Sequence, residues 1–213
     1  LFTFVVRIAW RLRAARRPSM LVGMRRVLFV LCLATTLGCS REGPAPAERA
    51  PAEPAVDRAP ELAREAVGRF KRELKGALSA ALAEGGPTHA LTVCQREAPR
   101  LAAAASRPGL AIGRATLRPR NPDNLAVGWK LDAYHALAGA ADRATATYTA
   151  ELPSGAFAYA EPLVIDGVCL SCHGSVGGDV AAALRERYPD DRATGYALGD
   201  LRGIAWAEVT RGP

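Results

Sequence analysis

The sequence predicts an α+β domain in which helices lead into a mostly antiparallel sheet. Three observations carry this expectation. Apolar residues recur at helical spacing across residues 61–84, two strand-like runs flank Pro153-Ser154-Gly155, and another strand-like run occupies residues 204–209.

The elements follow in chain order. Leu62, Ala66, Phe70, Leu74, Ala77, Leu78, Ala81 and Leu82 form the stripe of a first helix that Gly85-Gly86-Pro87 stops. A second helix, capped by Thr88, carries Ala90, Leu91, Cys94, Ala98 and Leu101 on one face, with Pro99 as a kink, so Cys94 should point inward. Residues 110–118 read as a strand. Arg114, Arg118 and Arg120 fall on one side of it and Ala115 and Leu117 on the other. Asn121-Pro122 supplies a cap and a first-turn proline for a helix running to about residue 140. Residues 146–152 and 156–165 form a hairpin, a short helix covers 179–187, and a turn-rich loop leads to the last strand. The chain contains no internal repeat.

Ahead of this domain, Met24-Arg25-Arg26 and the apolar residues 27–34 have the form of a secretory signal, too short to span a bilayer. Thr35-Thr36-Leu37-Gly38-Cys39-Ser40 resembles a lipobox, which would leave Cys39 lipidated. Ser40 fits sorting to the outer membrane, and plain secretion after nearby cleavage is the alternative. Residues 1–23 precede the signal and read as a start placed too early, so 1–39 stand outside the fold. Residues 40–60 are rich in Pro, Ala and Glu without apolar periodicity and read as a disordered tether to the domain at 61–213.

The formal charge of +7 belongs to the leader. Residues 1–38 hold seven arginines and no acid, leaving 21 basic against 21 acidic side chains. A near-neutral remainder argues against nucleic acid as a partner and leaves the membrane contact to the lipid anchor alone.

Cys169-Leu170-Ser171-Cys172-His173 is a C-x-x-C-H, the attachment site of a c-type heme. Its thiols add to the porphyrin vinyl groups as thioethers, and His173 is placed as the proximal iron ligand. The same letters admit a redox dithiol or a metal site. Zinc would need a fourth ligand, for which the chain after residue 40 offers only Cys94, His89 and His135. No second C-x-x-C-H is present, so one heme per chain is expected. Cys32 falls in the signal and Cys39 at the lipobox, which leaves Cys94 as a lone extra thiol in an oxidising compartment.

Beyond the motif, the chain resembles a family of single-heme proteins whose c-type heme sits in a PAS-like domain. The matching stretches are residues 90–99 around Cys94, residues 113–124 from Gly113-Arg114-Ala115 to Asp123-Asn124, the motif itself through Gly174, and Tyr188-Pro189-Asp190 with Ala193, Gly195-Tyr196, Gly199-Asp200 and Gly203. The likeness covers residues 61–210. It implies a PAS-like fold, occurrence as exported proteins or sensor modules, and a helix cysteine matching Cys94 that can serve as the axial ligand opposite the motif histidine. Leu125-Ala126-Val127-Gly128-Trp129-Lys130 departs from the family's Pro-rich approach to Trp-Glu.

The sixth iron ligand decides what such a heme can do. Met20 and Met24 precede the cleavage site, so a His/Met cytochrome is excluded. Cys94, His89, His135 or an open site remain, with Cys94 favoured by its inward position and by the resemblance, and His135 as the better histidine. A core role for Cys94 is the plain alternative. Arg114, Arg118 and Arg120 suit the heme propionates or form a solvated basic edge. Tyr188 and Tyr196 either donate to a propionate or pack.

Two functions follow from this set. One is a redox or diatomic-gas sensor acting through a separate signalling protein, and the other is a low-potential periplasmic electron carrier with a redox partner. A heme enzyme is disfavoured because it needs an open distal site with acid–base residues.

Overall fold

The computed structural model describes residues 57–211. The expected start, signal, lipobox cysteine Cys39 and nearly all of the tether lie outside the described residues. Helix α1 (Ala59–Ala105) begins two residues before the expected start at Glu61. Asp57 Oδ1 accepts the Ala59 N–H at 3.0 Å, and Pro60 sits in the first turn, where no N–H is needed.

The element is two helices joined at a break. Gly85 and Gly86 leave helical geometry, and Gly86 takes φ 68°, a conformation that strains any side-chain-bearing residue. Pro87 then opens the second half, so Thr88 lies inside the helix rather than capping it. Pro99 does not interrupt it either, since the two glycines are the residues that depart from helical angles.

The sheet has the order β1-β4-β3-β2, and every pair is antiparallel. Its strands are β1 (Leu110–Ala115), β2 (Tyr148–Glu151), β3 (Phe157–Val164) and β4 (Leu201–Val209). The hairpin β2–β3 forms where expected, closed by Leu152 N–H to Ala156 C=O at 2.9 Å. Strand β4 starts at Leu201, three residues earlier than its pattern suggested.

Alternation along β4 sorts its two faces. Ala205, Ala207 and Val209 pack with Phe157, Tyr159, Leu110 and Ile112 against Ala63, Ala66, Val67 and Phe70 of α1. Ile204, with Ala115 and Ala160, packs on the opposite face against Ala133 and Leu137 of α2 (Trp129–Ala138). The α+β class expected from the sequence is the architecture found.

Two stretches differ from expectation. Strand β1 ends at Ala115, so Arg118 and Arg120 belong to the following loop and do not share a strand face with Arg114. Asn121 and Pro122 open a single 3-10 turn (Pro122–Asn124), with Asn121 Oδ1 accepting from Asp123 N–H at 3.1 Å. The chain then returns to β1. Thr116 N–H donates to Asn124 C=O at 2.9 Å and Ala126 N–H to Thr116 C=O at 3.0 Å. This bridge outcompetes continuation of the turn, and α2 starts only after Gly128.

After β3 come a 3-10 turn (Gly167–Cys169), the one-turn helix α3 (Leu170–His173) and α4 (Gly178–Arg187). Between Leu163 and Val164 the β3–β4 register shifts: Leu163 faces Gly203, Val164 faces Leu201, and Arg202 is the extra residue.

Gly203 is closely hemmed in by backbone, because an added Cβ would lie 2.6 Å from the Ala115 carbonyl oxygen and 3.2 Å from Thr116 Cβ. Gly203→Ala is therefore expected to cost about 1–3 kcal/mol in urea unfolding. Gly167→Ala, which meets nothing within 4 Å, should stay within about 0.5 kcal/mol of wild type in the same assay.

Candidate functional site

A cavity of about 420 Å³ opens between the second half of α1, the end of β1, the bulge in β4 and the Cys169–His173 segment. Its size lies within the range of about 300–1,000 Å³ usual for small-molecule and cofactor pockets. Cys94, Arg114, Arg120, Cys169, Cys172, His173, Tyr188 and Arg202 all line it.

The two motif cysteines are positioned from different sides. Cys169 ends the 3-10 turn that Asp166 caps, and its Sγ donates to Asp166 Oδ1 at 3.1 Å. Lys75 of α1 holds the other carboxylate oxygen at 2.8 Å. Cys172 is buried in a small apolar cluster with Leu91 of α1 and Ala183 and Leu184 of α4. Cys94 lies three residues after Leu91, on the neighbouring turn of the same helical face. Burial pushes all three thiols above the usual range, and for Cys94 this outweighs the opposing pull of Arg114 and Arg120.

His173 is held by the segment that follows α4. Its Nδ1 donates to the Ala193 carbonyl at 2.6 Å, and its own carbonyl accepts the Tyr196 N–H at 2.9 Å. Gly195 N–H donates to Gly174 C=O at 2.9 Å. Burial, reinforced by Arg202 and Arg120, brings the imidazole pKa down to about 3, so the ring is neutral at pH 7. A neutral ring that donates through Nδ1 presents a lone pair at Nε2, the form in which histidine binds a metal.

Arg120 fastens this strap. Its guanidinium donates to the Cys172 carbonyl at 2.6 Å and pairs with Asp191 at 3.2 Å, the two side chains being only 11% and 9% exposed. Asp191 Oδ1 in turn accepts the Ala193 N–H at 2.9 Å, which sets the carbonyl that His173 uses.

The expected site residues thus divide. The structure brings Cys94, Cys169, Cys172, His173, Arg114, Arg120 and Tyr188 to one cavity. Arg118 does not line it. Its Nε donates to Arg192 C=O at 3.0 Å, its Nη2 to Thr194 C=O, and its guanidinium lies over the Tyr196 ring at 4.2 Å. Tyr196 is buried edge-on to His173, with centroids 6.2 Å apart, and supports the imidazole from behind rather than lining the cavity. His135 is exposed on α2, away from the cavity, because it lies two residues from each of Ala133 and Leu137, the residues that this helix buries. It is not positioned as a ligand. His89 faces Glu84, with Nε2 3.4 Å from Oε2, and also stays out of the cavity. Among the described residues no group of three or more His, Cys, Asp or Glu is gathered to hold a metal ion.

Sequence reasoning missed Arg202 and Asp191. Arg202 fell before the expected start of β4, and only the extra residue of the bulge turns it toward the cavity. Asp190-Asp191 after Tyr188-Pro189 is a turn signal that could have suggested a clasp.

Residues 48–209 match the family model described as Tll0287-like, Tll0287. This chain belongs to the Tll0287-like family. Among solved structures it is similar to the cyanobacterial heme-protein Tll0287, at 26% sequence identity and a TM-score of 0.53, covering 69% of this chain and 91% of that one. No curated protein matches the chain. Within this Tll0287-like domain the match spans α1 through β4, so the clasped motif and the cavity lie wholly inside the matched region.

Arg120→Met removes one partner of a nearly buried ion pair and frees the Cys172 carbonyl. The expected loss is about 3–5 kcal/mol in urea unfolding. Amide hydrogen exchange should accelerate first across residues 188–196.

Proposed function

We propose that the chain carries one covalently attached heme c and serves as an exported redox or diatomic-gas sensor rather than an enzyme. The observation that carries this reading is the single cavity lined by both motif thiols, by Cys94 and by a His173 whose Nδ1 is committed to Ala193. The residues present fit the group: two thiols for thioethers, a free Nε2, and buried guanidinium groups for acidic substituents. Family membership and the heme protein among its structural relatives support the same reading.

In this arrangement Cys169 and Cys172 would hold the group through thioethers, and His173 Nε2 and the Cys94 thiolate would be the side chains available to ligate its iron. Bound heme supplies a one-electron couple and, where a ligand leaves, a place for a diatomic gas. A thiolate donor favours the ferric state, so the potential should be low. Cys94 sits on the half of α1 that follows the break at Gly85-Gly86, and a change of partner at its thiol would be the event a separate protein could read. Export with a lipid anchor at Cys39 belongs to the same reading, because thioether attachment takes place outside the bacterial cytoplasm. No described helix is long and apolar enough to cross a membrane.

The test is spectroscopic. The purified chain should show a covalent heme that is lost when Cys169 and Cys172 are both changed to Ser. The ferric form should carry a low-spin thiolate signature that disappears in Cys94→Ala, and the ferrous form should bind carbon monoxide. A ferrous protein that stays six-coordinate and ignores carbon monoxide would instead make it a low-potential electron carrier.

A further inference from the structure

Arg114 and Arg202 are two cations that the fold places against one cavity without giving them an anion. Arg114 has no hydrogen-bond or ion-pair partner among the described residues, and burial lowers its pKa. Arg202 is the extra residue of the β4 bulge. Its Nη1 donates to Thr116 Oγ1 and to Arg118 C=O, both at 3.2 Å, while its Nε is fully buried with no partner. Arg202, brought down to about 10 mainly by burial, is lowered further by the nearby Arg114 and Arg120. Nearby negative charge is already engaged or turned away: Asp191, behind the wall, is paired with Arg120, and Asp190, the acidic residue on the cavity wall, is exposed.

Burying a charge without a partner is costly, and a fold keeps two such groups facing one space only where something compensates them. A guanidinium presents parallel N–H donors that match the two oxygens of a carboxylate. We propose that Arg114 and Arg202 form a carboxylate clamp in this cavity, with Arg202 delivered to it by the bulge. The carboxylate is either a porphyrin propionate or that of a free small acid. The first source rests on the heme reading above and the second does not.

Arg114→Met is the decisive variant, because Arg114 makes no bond to the protein that its loss would break. It is compared with wild type in the full chain, both loaded with heme and prepared without it. For the propionate source, Arg114→Met should raise the urea midpoint of the heme-free chain and lower that of the loaded chain. The propionate bending band in resonance Raman should shift in Arg114→Met and in Arg202→Lys. For a free acid, acetate should raise the midpoint of heme-free wild type, with binding weakened about tenfold or more in Arg114→Met, and the propionate band should stay fixed. The clamp is overturned by a variant that loses stability equally with and without heme. It is also overturned if the band does not move and acetate has no effect. Failure of the heme reading looks different, since no covalent heme would then be found on wild type and the acetate titration alone would judge the clamp.

Discussion

The bond from His173 Nδ1 to the Ala193 carbonyl organises the rest of the site. It fixes the tautomer of a buried neutral imidazole and frees Nε2 for the cavity, a role usually left to an outer-shell carboxylate or carbonyl around a metal-binding histidine. Its geometry depends in turn on Asp191, which holds the Ala193 N–H, and on Arg120, which ties Asp191 to the Cys172 carbonyl. One closed loop of hydrogen bonds therefore links the motif, the residues after β1 and the strap after α4.

That loop explains why cationic side chains crowd an otherwise apolar cavity. Arg118 and Arg120 are used by the protein itself, bonding carbonyls that a non-regular strap cannot satisfy through a sheet or helix ladder. Arg114 is not used in this way, and Arg202 only through Nη1, which bonds the Arg118 carbonyl and leaves Nε without a partner. The four arginines look alike as letters, but their partners divide them into a pair that builds the wall and a pair that faces the space within it.

Much of this architecture is legible in the sequence because it follows local rules. The apolar stripe of α1, the Gly85-Gly86 break and the Pro153-Ser154-Gly155 hairpin each state their own geometry, and C-x-x-C-H states its chemistry. The failures lie where tertiary contacts override local signals. Asn121-Pro122 is a sound helix start, yet the bonds of Thr116 to Asn124 and Ala126 keep the chain extended until Gly128. Arg202 was invisible because a bulge shifts side chains by one residue, and no periodicity in a single strand announces it.

The division of α1 bears most directly on how such a site can work. Its first half is locked into the sheet through Ala63, Ala66, Val67 and Phe70, whereas its second half meets the motif and α4 through Leu91 and through Arg187 to Thr92 Oγ1. The cavity-lining Cys94 belongs to the second half. The far end of that half returns to the main core through Leu101, Ala102 and Ala105, so Cys94 lies between the break at Gly85-Gly86 and a turn that is itself anchored. A continuous helix would couple every displacement of Cys94 to the burial of Phe70. The glycines remove that coupling at one end of the second half, where the residues nearest Cys94 rest on the small cluster around Leu91 and Cys172.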